Sequence, residues 1–264
     1  MPFSVSAGTR IYWKLEGEES ARGLVLLNSI GTDMDLWDAA LPALRKSFRL
    51  LRIDTRGHGA SDAPAGDYTL AELAGDVFGV MDHAGLAEAA IAGVSLGGMI
   101  AMEMAMTQPG RISRLALICT SATMDPGAWN DRITKVRSEG MTSIAEMAMG
   151  RFLTPDFIAA NPAQAATLRR QLSTMSAVGY AGCAAAIRDM TLAQRLAEII
   201  CPALVVTGAK DVSTPFEGHG EHLLLAISGA RHVVMPGAHL APIDVPEELA
   251  AVLLSFISAG AAQG

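Results

Sequence analysis

Ser95 stands in Gly93-Val94-Ser95-Leu96-Gly97, with a short apolar run before it and helical spacing after it. Held at the tip of a sharp strand-to-helix turn, a serine hydroxyl is open to a base and to a carbonyl carbon. Glycines two positions away on either side let the chain pass without a clash. The first amides of the following helix are unpaired donors, suited to a developing oxyanion. These residues point to acyl transfer, with Ser95 attacking and the Leu96 amide receiving negative charge. Such a motif also arises by chance as a Gly-rich turn with a surface serine, but the flanking strand and helix patterns argue against that here.

The elements that must position this serine follow from the patterning. Loose alternation over Ser4–Glu16 with Gly8-Thr9 predicts a hairpin, and the apolar runs Gly23–Asn28, Arg49–Asp54, Ala90–Ala92, Arg114–Thr120, Ala203–Gly208 and His232–Met235 predict strands. Helical spacing falls between them, at Trp37–Lys46, Thr69–His83, after Ser95, near Glu217–Ile227 and at Pro246–Ile257. Alternation of this kind implies an α/β fold with a mostly parallel sheet and helices on both faces. From Thr123 to about Leu196 it stops, and the segment is helical, Met- and Ala-rich. We expect one domain, residues 1–122 and 197–264 forming the core and 123–196 an inserted helical cap; a few packing helices without a lid role are the plainer alternative. Met141, Met147 and Met149 are expected to fill the cap core, and Ala259–Gly264 to fray.

Ligands of such sheets bind beyond the carboxyl ends of the strands, which filters the partners of Ser95. Of six histidines, His58 lies in a tight turn, His83 at a helix end, His219 and His222 on or near an exposed helix, and His232 inside a strand. Only His239, in Pro236-Gly237-Ala238-His239, follows the last strand and is late enough for the order Ser…Asp…His. Asp211 directly follows the strand Ala203–Gly208 and is the preferred acid. Asp125, after the preceding strand, is the geometric alternative, and Asp244 a third candidate. The acid's task is to fix the imidazole tautomer and stabilise the imidazolium. A second oxyanion donor belongs in the loop after the strand Gly23–Asn28, at the amide of Ile30.

Composition narrows the partners. The 264 residues are half hydrophobic and carry a net charge of −7 without a basic run, so nucleic acid and anionic membrane surfaces are poor candidates. No apolar stretch reaches membrane-spanning length, and the first residues lack the regions of a signal peptide. Cys119, Cys183 and Cys201 are odd in number and far apart, which reads as a reduced, cytoplasmic protein without a disulfide framework or metal site. Gly57-His58-Gly59 lacks the third glycine and helix start of a dinucleotide fingerprint, so no cofactor is expected. Nothing in the sequence fixes the oligomeric state.

The elbow Gly93–Gly98, the run Asp54-Thr55-Arg56-Gly57-His58-Gly59, Gly208–Asp211 and Gly237-Ala238-His239 together resemble the α/β-hydrolase superfamily over residues 3–257. Within it, Leu27–Asp33 with Trp37 shortly after, and the cap segment Trp129–Met141, resemble the 3-oxoadipate enol-lactonases of the β-ketoadipate pathway, part of aromatic compound catabolism. Many relatives have His-Gly where this chain has Asn28-Ser29. The resemblance implies a serine hydrolase that opens a small anionic lactone. The net-negative chain does not attract such a substrate by its global field, so a local cation is needed. Arg132 and Arg137 in the cap are candidates for that cation, or solvated residues of a cap helix. Trp129 is a candidate to pack on the flat ring, or a buried cap anchor. A carboxylesterase or cofactor-independent perhydrolase with the same triad is the alternative enzyme, and a hydrolase-derived small-molecule receptor the non-enzymatic one.

Overall fold

Strands β1 (Phe3–Ser6), β2 (Thr9–Glu16), β3 (Arg22–Leu27), β4 (Phe48–Ile53), β5 (Ala89–Val94), β6 (Ile112–Ile118), β7 (Ala203–Gly208) and β8 (Arg231–Met235) form one eight-stranded sheet in the order β1-β2-β4-β3-β5-β6-β7-β8. This is the arrangement of a computed structural model, which describes residues 3–259; most of the tail Ala259–Gly264 therefore lies outside the described residues. β1 and β2 are antiparallel, β2 is antiparallel to β4, and all other pairings are parallel. The hairpin turns at Ala7 and Gly8, both with positive φ, as a two-residue type I′ connection requires. β5, at the centre, is buried at every position, and β7 likewise, in keeping with their uninterrupted apolar sequences.

The register decides where the loops emerge. Leu27 pairs with Gly93, Val94 with Ile118, Ile118 with Val206, and Gly208 with Met235. The chain thus leaves β3, β5, β6, β7 and β8 at one edge of the sheet.

Helix α1 (Leu41–Leu44) is a single turn, separated from a 3₁₀ turn at Met34–Trp37. The helix expected over Trp37–Lys46 is therefore broken, because Pro42 has no N–H to donate and fits only in a first turn. α2 (Leu70–His83) opens on a reciprocal cap. Thr69 Oγ1 accepts from the Glu72 amide at 3.1 Å, and the Glu72 carboxylate accepts from the Thr69 amide at 2.8 Å. A cap of this kind contributes about 1 kcal/mol. α3 (Leu96–Thr107) follows β5 directly and packs on β3, β5 and β6.

Between β6 and β7 run α4 (Pro126–Glu139), α5 (Thr142–Phe152), α6 (Pro155–Ala160), α7 (Pro162–Thr174) and α8 (Ala177–Arg188), with no strand among the described residues of this segment. α4 packs on α5 and α8, and α5 on α7. Met141 and Met149 are buried there, but Met147 is exposed, a departure from its expected place in the packing. The segment is stitched by backbone to loops of the rest of the chain. The amide of Tyr68 donates to the Gly182 carbonyl at 3.1 Å, and that of Leu240 to Phe152 at 2.9 Å. A Cβ on Gly57 would lie 2.5 Å from the Gly179 Cα, so these two chains touch only because both residues are glycine.

After β7 the chain forms α9 (Glu221–Ala226), α10 (Ala241–Asp244) and α11 (Pro246–Ser258). The helix expected near Glu217–Ile227 is shorter, because Gly218 takes φ +78° and interrupts it. No helix of the described residues is long and apolar enough to cross a membrane.

Candidate active site

Ser95 joins β5 to α3 with φ +55° and ψ −116°, a backbone conformation costly for any residue with a side chain. Its surroundings hold it there. The Ser95 amide donates to the Ile118 carbonyl at 2.9 Å, and its own carbonyl accepts from Thr120 Oγ1 at 2.6 Å and from the amides of Gly98 and Met99. The glycines are steric necessities. A Cβ on Gly93 would meet the Gly97 carbonyl oxygen at 2.2 Å, one on Gly97 the Leu27 carbonyl at 2.6 Å, and one on Gly98 the Thr120 side chain at 2.7 Å. Leu96 is the first residue of α3, so its amide precedes the helix's own hydrogen bonds.

His239 and Asp211 meet at this edge. His239 Nδ1 donates to Asp211 Oδ2 at 2.9 Å, and both residues are buried. Asp211 is further held by Thr214, whose hydroxyl donates to Oδ2 at 2.8 Å, and by the amides of Ser213 and Thr214 on Oδ1. Burial works against ionisation of this carboxyl. The His239 charge and the hydrogen bonds from His239, Ser213 and Thr214 outweigh it, bringing the pKa down to about 2. Asp211 is thus a carboxylate throughout the neutral range. The two other acid candidates lie elsewhere. Asp125 is exposed and caps α4 through the Gly127 amide, while Asp244 accepts from the Ala238 amide at 2.7 Å and fixes the loop that carries His239.

One cavity is lined by Ile30, Ser95, Met99, Trp129, Arg132, Arg151, Phe152, Tyr180, Ser213, Thr214 and His239, among others. It brings together residues from the β3, β5, β7 and β8 loops and from the cap helices. Phe152 of α5 stacks on the His239 ring, with centroids 6.2 Å apart. The Arg132 guanidinium lies over the Trp129 ring, 4.4 Å from its centroid, and reaches Met147 Sδ at 3.6 Å. No carboxylate pairs with it among the described residues. Arg137, the other arginine considered for substrate binding, does not line this cavity. It pairs with Asp67, which also takes Arg188 at 2.9 Å. One helical turn and a half separates Arg132 from Arg137 along α4, enough to turn them to different sides.

Several cavity residues carry no strong sequence signal. Arg151 and Tyr180 sit on α5 and α8 in segments of ordinary helical pattern, and only the crossing of those helices brings them to Arg132. Burial raises the Tyr180 hydroxyl, with Arg132 and Arg151 opposing, so the phenol keeps its proton. Ser213 and Thr214 were legible in principle. Asp-x-Ser-Thr is a sequence in which an aspartate folds its own chain back onto its carboxylate.

Comparison with known proteins accords with this geometry. Residues 24–244 match the family model described as alpha/beta hydrolase fold. The chain belongs to the alpha/beta hydrolase family. This hydrolase is 32% identical to the 3-oxoadipate enol-lactonase 2 of Acinetobacter baylyi, over 88% of its own length and 86% of the relative's. It is 28% identical to that organism's 3-oxoadipate enol-lactonase 1, over 95% and 94%. Among solved structures it superposes on the enol-lactonase from Burkholderia xenovorans LB400 with a TM-score of 0.95 and 36% identity, over 97% of this chain and all of the other. It is a hydrolytic enzyme acting on esters or lactones.

Proposed function

We propose that this hydrolase opens the enol-lactone of 3-oxoadipate to 3-oxoadipate through an acyl-enzyme on Ser95. The observation that carries the reading is a cation without a carboxylate partner among the described residues, Arg132, facing the same cavity as Ser95 and His239. A lactone with a pendant carboxylate would sit with that group on Arg132, its flat ring along Trp129 and its carbonyl at Ser95. The kinship with enol-lactonases supports the same substrate class.

His239 accepts the Ser95 proton as Oγ attacks the lactone carbonyl carbon, and Asp211 balances the imidazolium. The tetrahedral oxyanion faces the amides of Ile30 and Leu96. Collapse breaks the ring C–O bond, and the enol oxygen leaves with the proton returned by His239. The enol then becomes the ketone. Water, deprotonated by His239, attacks the acyl-enzyme, and Ser95 leaves with that proton. The proposal includes a small anionic lactone as partner, rather than nucleic acid or membrane, and a cytoplasmic setting, for which three free thiols speak.

The test is kcat/KM of the purified enzyme for the enol-lactone beside a neutral aryl ester and a lactone lacking the carboxylate. The enol-lactone is expected to be preferred by a wide margin. Preference for the neutral ester would replace this reading with a general carboxylesterase.

A further inference from the structure

The loop proposed to carry the Ile30 amide is held by a residue that takes no part in the chemistry. His58, in the turn after β4, is buried, and its Nε2 accepts from the Gly31 amide at 3.0 Å. A ring nitrogen that accepts carries no proton, so the imidazole is neutral with its hydrogen on Nδ1, directed at the Arg56 carbonyl 3.3 Å away. Burial pulls the His58 pKa down to about 4, only partly opposed by the bond to Arg56, which keeps that state at neutral pH. The other side of Gly31 is pressed by the cap. With φ +85°, a Cβ there would meet Leu172 at 2.9 Å, Phe152 at 3.4 Å and Tyr180 at 3.6 Å. The Cys183 thiol of α8 also donates to the Arg56 carbonyl at 3.3 Å and lies 3.9 Å from His58 Nδ1.

We infer that His58 is a positioning residue, clamping the Gly31 amide so that the neighbouring Ile30 amide stays aimed at the transition-state oxyanion. The inference rests on the serine reading above, but not on the lactone. Removing the acceptor leaves the buried Gly31 N–H unpaired, and the Ile30–Gly31 peptide is free to tilt about the Ile30 Cα, which lets the preceding Ser29–Ile30 peptide, the one that carries the Ile30 N–H, turn with it. A donor that must be aimed during the reaction loses part of its effect, whereas the substrate's ground state uses it little.

The experiment compares His58→Leu and His58→Gln with wild type on an aryl acetate. His58→Leu should lose about 10- to 100-fold in kcat with KM within about threefold, short of the ~10²–10³-fold loss when an oxyanion donor is removed outright. His58→Gln, whose side-chain carbonyl can accept from Gly31, should recover most of it. A His58→Leu enzyme within threefold of wild-type kcat, or a glutamine variant as impaired as the leucine one, overturns the inference. If His58→Leu does not fold, ¹⁵N NMR of the wild-type imidazole decides. A neutral ring protonated on Nδ1 is expected, and one protonated on Nε2 could not accept from Gly31. That spectrum needs no substrate. Near-normal turnover by Ser95→Ala would sink the serine reading separately, while leaving the tautomer result intact.

Discussion

The half of the cavity proposed to react and the half proposed to recognise the substrate are built differently. Ser95, Asp211 and His239 stand on loops at the ends of parallel strands, each locked by short backbone contacts that tolerate no added carbon atom. Trp129, Arg132 and Arg151 stand on helices, and the long Arg132 side chain is held by the Trp129 ring face and the Met147 thioether. Rigid strand ends suit chemistry, where small displacements are costly. Helical side chains suit selection, which can be retuned by exchanging one residue without disturbing the turn beneath. Substrate preference should therefore be far easier to change in this fold than reaction type.

The comparison can be broken most severely at the reacting half. Ser95→Ala should lower kcat by several orders of magnitude on every ester or lactone tested, because members of such a constellation act as a unit. Asp211→Asn should cost about 10⁴-fold, since an amide cannot hold the productive tautomer or compensate the imidazolium. Asp125→Asn should disturb only the start of α4. If the Asp125 variant proved the more damaging in side-by-side kinetics, the acid would be misassigned.

At the recognising half the expected effect is smaller and depends on the substrate. Arg132→Ala should raise the barrier for the anionic lactone by roughly 2–5 kcal/mol, the range for stripping one partner from a buried charge pair. The same change should barely alter turnover of a neutral ester, which never uses the contact. Parallel losses on both substrates would show damage to the cap rather than loss of recognition.

The smallest effect sharpens the contrast within α4 itself. Arg137 pairs with Asp67 at a half-exposed site, and Asp67 keeps Arg188 when Arg137 is removed. Arg137→Ala should change stability by no more than about 1 kcal/mol, less at high salt, and leave kcat/KM for both substrates near wild type. A selective loss on the anionic lactone would move the cationic role from Arg132 to Arg137.

The same division decides what could be read from the residues alone. Ser95, Asp211 and His239 announce themselves because a strand end dictates local sequence: glycines around a turn, an apolar run, then a polar loop in a set chain order. The strands were legible for that reason, to within a residue or two at their ends. Arg132 and Arg137 look alike in sequence, five residues apart on one helix, and only the packing of α4 against α5 and α8 separates them. Arg151 and Tyr180 stayed hidden because their meeting depends on helix crossing, which has no short-range signature. The breaks at Pro42 and Gly218 were visible as residues. Their consequence was not, because helical spacing on either side of a breaker looks the same whether or not the helix runs through.

The position of the cap between β6 and β7 also bears on how the enzyme comes into being. Synthesis proceeds from the amino end, so the strained turn at Ser95 and all five cap helices leave the ribosome before β7 and β8 exist. Until those last two strands add to the sheet, Ser95 has neither its proposed base His239 nor the proposed acid Asp211. On the proposed mechanism, reactivity waits for the final pairings, Ile118 with Val206 and then Gly208 with Met235. These contacts are remote in sequence from the turn they complete and are expected to be slow to form. On the proposed mechanism, the topology that sets the five helices ahead of the last two strands delays the moment at which the protein becomes an enzyme.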